Sequence, residues 1–71
     1  TDEFKDAKSF LQELLQAMNH DLPQYQVTPN QDGTHFYCEV SVLGTVFSAS
    51  ADIKKEAEQK AAKLALHSLE K

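Results

Sequence analysis

The stretch of sequence that decides the fold is FYCEVSVLG, residues 36–44. Its side chains alternate with a period of two, which is typical of a β-strand with one buried face. The side chains predicted to face the core are Phe36, Cys38, Val40 and Val42. A tight turn at Leu43 and Gly44 then leads into a third strand over residues 45–49, and only Gly44 is expected to adopt a positive φ.

The residues before this stretch predict a helix followed by a short strand. Residues 3–19 carry apolar side chains at three- and four-residue spacing, which indicates an amphipathic helix. That apolar stripe consists of Phe4, Ala7, Leu11, Leu14, Leu15 and Met18. Thr1 or Asp2 is expected to cap the helix. A strand over residues 24–28 and a turn over residues 29–33, rich in turn-forming residues, complete this half.

The residues after the third strand predict a second helix over residues 53–69, with Asp52 as its N-cap. Its apolar stripe consists of Ile53, Ala57, Ala61, Leu64, Ala65 and Leu69. Because alanine is small, we expect this helix to approach its packing partner closely. The order helix, three strands, helix predicts an α+β fold in which a three-stranded antiparallel sheet carries both helices on one face.

Composition limits the classes of function. The 71 residues suffice for one small domain, and the single cysteine, Cys38, is expected to behave as a small buried hydrophobe. We find neither Cys/His clusters with zinc-ligand spacing nor a nucleophile–base pair, so we expect no metal, no cofactor and no catalysis by this chain. Without an apolar run long enough to span a bilayer, we expect no membrane partner. A lone cysteine cannot form an internal disulfide, which favours a reducing, intracellular location, cytoplasmic or nuclear.

The formal net charge of −4 argues against nucleic-acid binding, since such proteins are usually basic on at least one face. Four motifs argue for it. Residues 10–16, FLQELLQ, resemble L-x-N-E-x-x-Q with Gln12 in the Asn place, and residues 22–25, LPQY, resemble the approach to a first strand. Residues 36–44 resemble F-x-V-x-V-x-V-x-G, and residues 54–62, KKEAEQKAA, resemble K-K-x-A-K-x-x-A-A. In this order over residues 8–69, the four motifs resemble the double-stranded-RNA-binding domains.

The resemblance implies binding of duplex RNA by shape, over two minor grooves and the phosphates between them, about 16 bp in all. It implies no small-molecule substrate. The first helix would meet one minor groove, the loop between the first two strands the next, and the start of the second helix the phosphates. The residues implied to contact RNA are Gln12, Glu13, Gln16, His35, Lys54 and Lys55.

Two departures from the family pattern predict weak binding. Glu58 replaces the third lysine and is expected to offset Lys54 one turn away on the same helix face, and the family's G-P-x-H loop is absent. Two lysines would neutralise few phosphates, so we expect help from a neighbouring domain or a second copy.

An alternative is a protein-interaction or dimerisation domain of the same fold, with weak or no RNA binding. Its apolar surface would involve Tyr37, Leu43 and Val46. In either case we expect residues 1–71 to be a single domain excised from a longer protein. The family's parent proteins include ribonuclease III-type enzymes, Dicer partners and other small-RNA pathway proteins, RNA adenosine deaminases, kinases and helicases.

Overall fold

The computed structural model describes residues 6–69 and confirms the predicted order of elements. Helix α1 spans Ala7–Ala17, the strands are β1 (Gln24–Pro29), β2 (Phe36–Val42) and β3 (Thr45–Ala51), and helix α2 spans Lys54–Leu69. The strands form one antiparallel sheet in the order β1-β2-β3. The predicted α+β architecture is therefore confirmed.

The register of the sheet places most apolar side chains of the three strands on one face. Val40 of β2 lies opposite Tyr25 of β1 and Phe47 of β3. Of the four residues predicted to face the core, three are buried and Phe36 is half-buried. Alternation along β2 thus predicted the buried face correctly.

Helix α2 contacts all three strands, and α1 packs against α2. The close approach expected of α2 is confirmed, because four of its alanines are fully buried. They are Ala57, Ala61, Ala62 and Ala65. Leu11 and Leu15 of α1, both fully buried, complete the core beside Val40 and Cys38.

Three residues of the predicted apolar stripes are exposed instead. Met18, just after α1, Ile53, just before α2, and Leu64, on the outer side of α2, are 42%, 54% and 48% exposed. Ala62 and Leu66 are buried in α2, which turns the buried side of the helix away from Leu64. The predicted stripes therefore extended too far at Met18 and Ile53, which lie just outside the helices, and Leu64 was assigned to the wrong side of α2.

The helix caps differ from the prediction. Asp6 caps α1: its Oδ1 accepts a hydrogen bond from the Lys8 amide at 3.1 Å. Thr1 and Asp2, predicted for this role, lie outside the described residues. At α2 the carbonyl of Ile53 accepts the first helical hydrogen bond, from Ala57 N at 3.0 Å, so Ile53 and not Asp52 occupies the N-cap position.

The β2–β3 turn also differs from the prediction. Both of its central residues have positive φ, +52° at Leu43 and +81° at Gly44, as in a type I′ turn. This turn matches the right-handed twist of the strands, and the sheet therefore imposes on Leu43 a backbone conformation that leucine disfavours. Strand β1 includes Pro29, which an edge strand tolerates, and β3 continues two residues beyond the predicted end.

Candidate nucleic-acid interface

The outer face of α1 is a strip of exposed polar side chains. Gln12, Glu13 and Gln16 lie on the side of the helix opposite Leu11 and Leu15, which are buried. Within residues 6–69 these three side chains have no hydrogen-bond or salt-bridge partner. The strip predicted to meet a minor groove is therefore available to a ligand.

The start of α2 presents two cations and free backbone donors at one place. Lys54 and Lys55 are exposed, and neither ammonium has a carboxylate partner in the described part of the chain. Because Ile53 has no side-chain acceptor, the first amide N–H groups of the helix are not capped by any side chain of residues 6–69. Free N–H groups and lysines at a helix N-terminus favour an anion such as phosphate.

The loop between β1 and β2, residues 30–35, is organised by one side chain. Asn30 Oδ1 accepts hydrogen bonds from the amides of Thr34 at 3.0 Å and His35 at 3.3 Å. The Asn30 amide donates to the His35 carbonyl at 2.9 Å. These hydrogen bonds stabilise the loop, which lacks the Gly-Pro pair of the family pattern.

His35 connects this loop to the start of α2. Its Nε2 lies 2.9 Å from Asp52 Oδ1, and its Nδ1 lies 3.0 Å from Thr34 Oγ1. The structure therefore brings His35 to the chain segment that leads into Lys54. Because both ring nitrogens are engaged, a direct hydrogen bond from His35 to RNA requires one of these contacts to break.

Glu58 does not act as the sequence predicted. Its Oε1 lies 2.9 Å from Lys8 Nζ of α1, and its side chain is only 17% exposed. Lys8 Nζ also lies 4.9 Å from the centroid of the Tyr25 ring, a cation–π contact. The negative charge of Glu58 is therefore paired with Lys8 rather than with Lys54, which corrects the expectation that it offsets Lys54.

The face of the sheet away from the helices is largely polar. Tyr37 and Val46 are exposed at its opposite ends, and the pair Glu39 and Ser48 lies between them. The Tyr37 hydroxyl donates to Glu39 Oε2 at 3.4 Å. Over the described strands, this face has no continuous apolar patch joining Tyr37 to Val46, so it does not favour the protein-interaction alternative.

Two buried groups have shifted pKa values. Burial raises the pKa of the Cys38 thiol, which disfavours the thiolate, and the side chain is fully buried as the sequence predicted. Burial also raises the pKa of Tyr25 to about 12. Residues 6–69 contain no group of three His, Cys, Asp or Glu side chains that could hold a metal ion, and neither α1 nor α2 could span a membrane.

The sequence model of the double-stranded RNA binding motif matches residues 7–69. The chain belongs to this family. It is 39% identical to Ribonuclease 3 of Marinomonas sp. (strain MWYL1) and 42% identical to that of Alcanivorax borkumensis, in each case over 72 aligned residues. The alignments cover 94% and 93% of this chain but 32% and 31% of those proteins, so the domain spans about a third of the relatives it matches.

Solved structures of double-stranded-RNA-binding domains share the fold. The first such domain of DRB4 superposes with a TM-score of 0.77 at 31% identity, covering 89% of this chain and 93% of that one. A structure of both DRB4 domains with their linker gives a TM-score of 0.74 at 33% identity, covering 97% of this chain and 46% of that one. The predicted family is therefore confirmed by sequence and by structure.

Proposed function

We propose that this domain binds double-stranded RNA by shape, with no chemistry of its own, as a module of a larger RNA-processing protein. The observation that carries the proposal is the start of α2, where exposed Lys54 and Lys55 adjoin uncapped amide groups. Phosphates between two minor grooves would bind there.

The two minor grooves would be met on either side of this phosphate site. Gln12, Glu13 and Gln16 would contact 2′-hydroxyls and base edges in one groove, since their polar atoms have no partner within residues 6–69. The β1–β2 loop, residues 30–35, would meet the other. The contact between His35 and Asp52 supports this arrangement, because it joins the loop to the start of α2.

The identity to Ribonuclease 3 over one third of its length supports an RNA-processing parent protein. The DRB4 structure with two such domains supports a second possibility, a parent with tandem copies. Two phosphate-binding lysines give weak binding, and a linked second domain would raise the affinity through effective concentration.

Titration of a fluorescent RNA duplex of roughly 20 bp, longer than the expected footprint, tests the proposal at several salt concentrations. We expect binding to RNA and not to the matching DNA. Two neutralised phosphates give a salt slope of roughly two, by analogy with the value for duplex DNA. The variant Lys54→Ala/Lys55→Ala should lose most of this slope and most of the affinity.

The matched control is Lys60→Ala/Lys63→Ala, which removes the same charge from exposed positions further along α2, where Lys60 donates only a long hydrogen bond of 3.4 Å to the Ser50 carbonyl. It should retain most of the RNA affinity. Equal losses in both double variants would show that only overall charge matters. Absence of RNA binding by the wild-type chain at low salt would refute the proposed function for this domain.

A further inference from the structure

The two helices that carry the proposed RNA contacts are tied together near their N-termini, by the first turn of α1 and the second turn of α2. Lys8 Nζ and Glu58 Oε1 form a salt bridge of 2.9 Å between α1 and α2, and the Ala7 amide donates to Gln59 Oε1 at 2.6 Å. The side chains of Lys8 and Glu58 are 33% and 17% exposed. These polar contacts fix how the start of α1 lies against α2.

The salt bridge lies between the proposed contacts on both helices. Glu58 follows Lys54 by four residues, and Gln12 follows Lys8 by four residues, so each proposed contact is one helical turn from the bridge. Duplex RNA read by shape offers its minor groove and its phosphates at a set separation. A protein that binds both must hold Gln12 and Lys54 at a matching separation.

We infer that Glu58 is a positioning residue for RNA binding: through Lys8 it sets the placement of the α1 contacts relative to the phosphate site. This inference rests on the proposed function. It reverses the role expected from sequence, in which the Glu58 carboxylate repels phosphate. Lys8 neutralises that carboxylate, and the partly buried pair places Lys8 against the Tyr25 ring.

The two roles predict opposite effects of Glu58→Lys, which restores the lysine of the family motif. If Glu58 repelled phosphate, the variant would bind RNA more tightly. If Glu58 is a positioning residue, the lysine that replaces it brings two ammonium groups together and separates the helices, so RNA binding should weaken about threefold or more. Glu56→Lys is the matched control, because it makes the same charge change at an exposed position in the first turn of α2. It should bind at least as tightly as the wild type.

Affinity and salt slope are measured by fluorescence anisotropy at a temperature where circular dichroism shows each variant folded. The charge swap Lys8→Glu/Glu58→Lys should return the affinity to within about twofold of the wild type, since the pair is restored in reverse. Glu58→Gln replaces Glu58→Lys if the latter does not fold, and it should bind no more tightly than the wild type.

Tighter RNA binding by Glu58→Lys or Glu58→Gln, with a steeper salt dependence for the lysine variant, would overturn the inference and leave the proposed function intact. A charge swap that folds but binds as weakly as Glu58→Lys would overturn it as well. A wild-type chain without RNA affinity would refute the proposed function, and this inference with it.

Discussion

Substitutions at the N-cap position of α2 should change the stability of the domain and its RNA affinity in different ways. Ile53 occupies it, although isoleucine cannot accept a hydrogen bond from the first amide groups of the helix. Three substitutions separate the possible effects. Ile53→Ala removes the half-exposed apolar side chain, Ile53→Ser removes it and adds a neutral cap, and Ile53→Asp adds a charged cap.

The stability gained from a cap is obtained by comparing the three variants, because all of them lose the same apolar side chain. Serine or aspartate at an N-cap stabilises a helix by about 1 kcal/mol relative to alanine. For a chain of this size, such a difference corresponds to about 4–8 °C in the melting temperature. Aspartate gains about 0.3–1 kcal/mol more from the helix dipole. We therefore expect the order of stability Asp, Ser, Ala, measured by thermal and urea denaturation.

RNA affinity should follow a different order. Serine leaves the phosphate site at the start of α2 uncharged, so Ile53→Ser should bind RNA about as well as Ile53→Ala. The carboxylate of Ile53→Asp would occupy the amide groups and oppose Lys54 and Lys55, lowering the salt slope by about one. The more stable variant would thus be the weaker binder.

Equal stability of the serine and alanine variants would refute this reasoning, because Ile53 would then not be the capping position. The check is Asp52→Ala. If Asp52 capped α2, its loss would cost about 1 kcal/mol. Because Asp52 instead contacts His35 at an exposed position, we expect its loss to cost clearly less than that in the free chain.

Three further predictions concern single residues. Leu43→Gly should be about 1 kcal/mol more stable than Leu43→Ala in urea denaturation, since φ is +52° there; equal stability would show no backbone strain at Leu43. Tyr25→Phe should raise the free energy of unfolding by about 1 kcal/mol, because the buried hydroxyl has no hydrogen-bond partner among the described residues; a large decrease would show that it has one. The hydrogen bond from Gln59 lowers the pKa of Asp6 below its ordinary value of 3.8. The ionised Asp6 carboxylate therefore stabilises the fold fully above pH 3.8, and this stabilisation disappears as the pH falls through the lowered pKa. The melting temperature of Asp6→Asn should fall less steeply with acid than that of the wild type.

The sequence predicted the elements well because their signals are local. Alternation from Phe36 to Val42 gave β2 within its observed bounds, and the small residues of α2 predicted its close packing. These patterns depend only on which side chains one strand or helix turns toward the core. The family motifs added a predicted function, the binding of double-stranded RNA.

The features that the sequence did not predict depend on residues far apart in the chain. Lys8 and Glu58 are separated by 50 positions, and no local pattern indicates that they pair. Asp52 is a better N-cap by residue type than Ile53, but its contact with His35 directs it to the β1–β2 loop. In both cases tertiary packing decides which of several possible partners a charged group takes.

The same distinction applies to the acidic net charge, which by itself argues against RNA binding. Four of the seven lysines lie in α2, which also contains two glutamates, Glu56 and Glu58. Glu58 is paired with Lys8 of α1. Glu56 is thus the one acid of α2 without a salt-bridge partner in the described chain. A binding surface responds to charges within about one Debye length, about 8 Å at physiological salt, and not to the sum over the chain. The net charge of −4 therefore does not argue against the phosphate site that we propose at Lys54 and Lys55. Of the two acids of α2, Glu56 lies in the same first turn and opposes that site, whereas Glu58 is paired with Lys8.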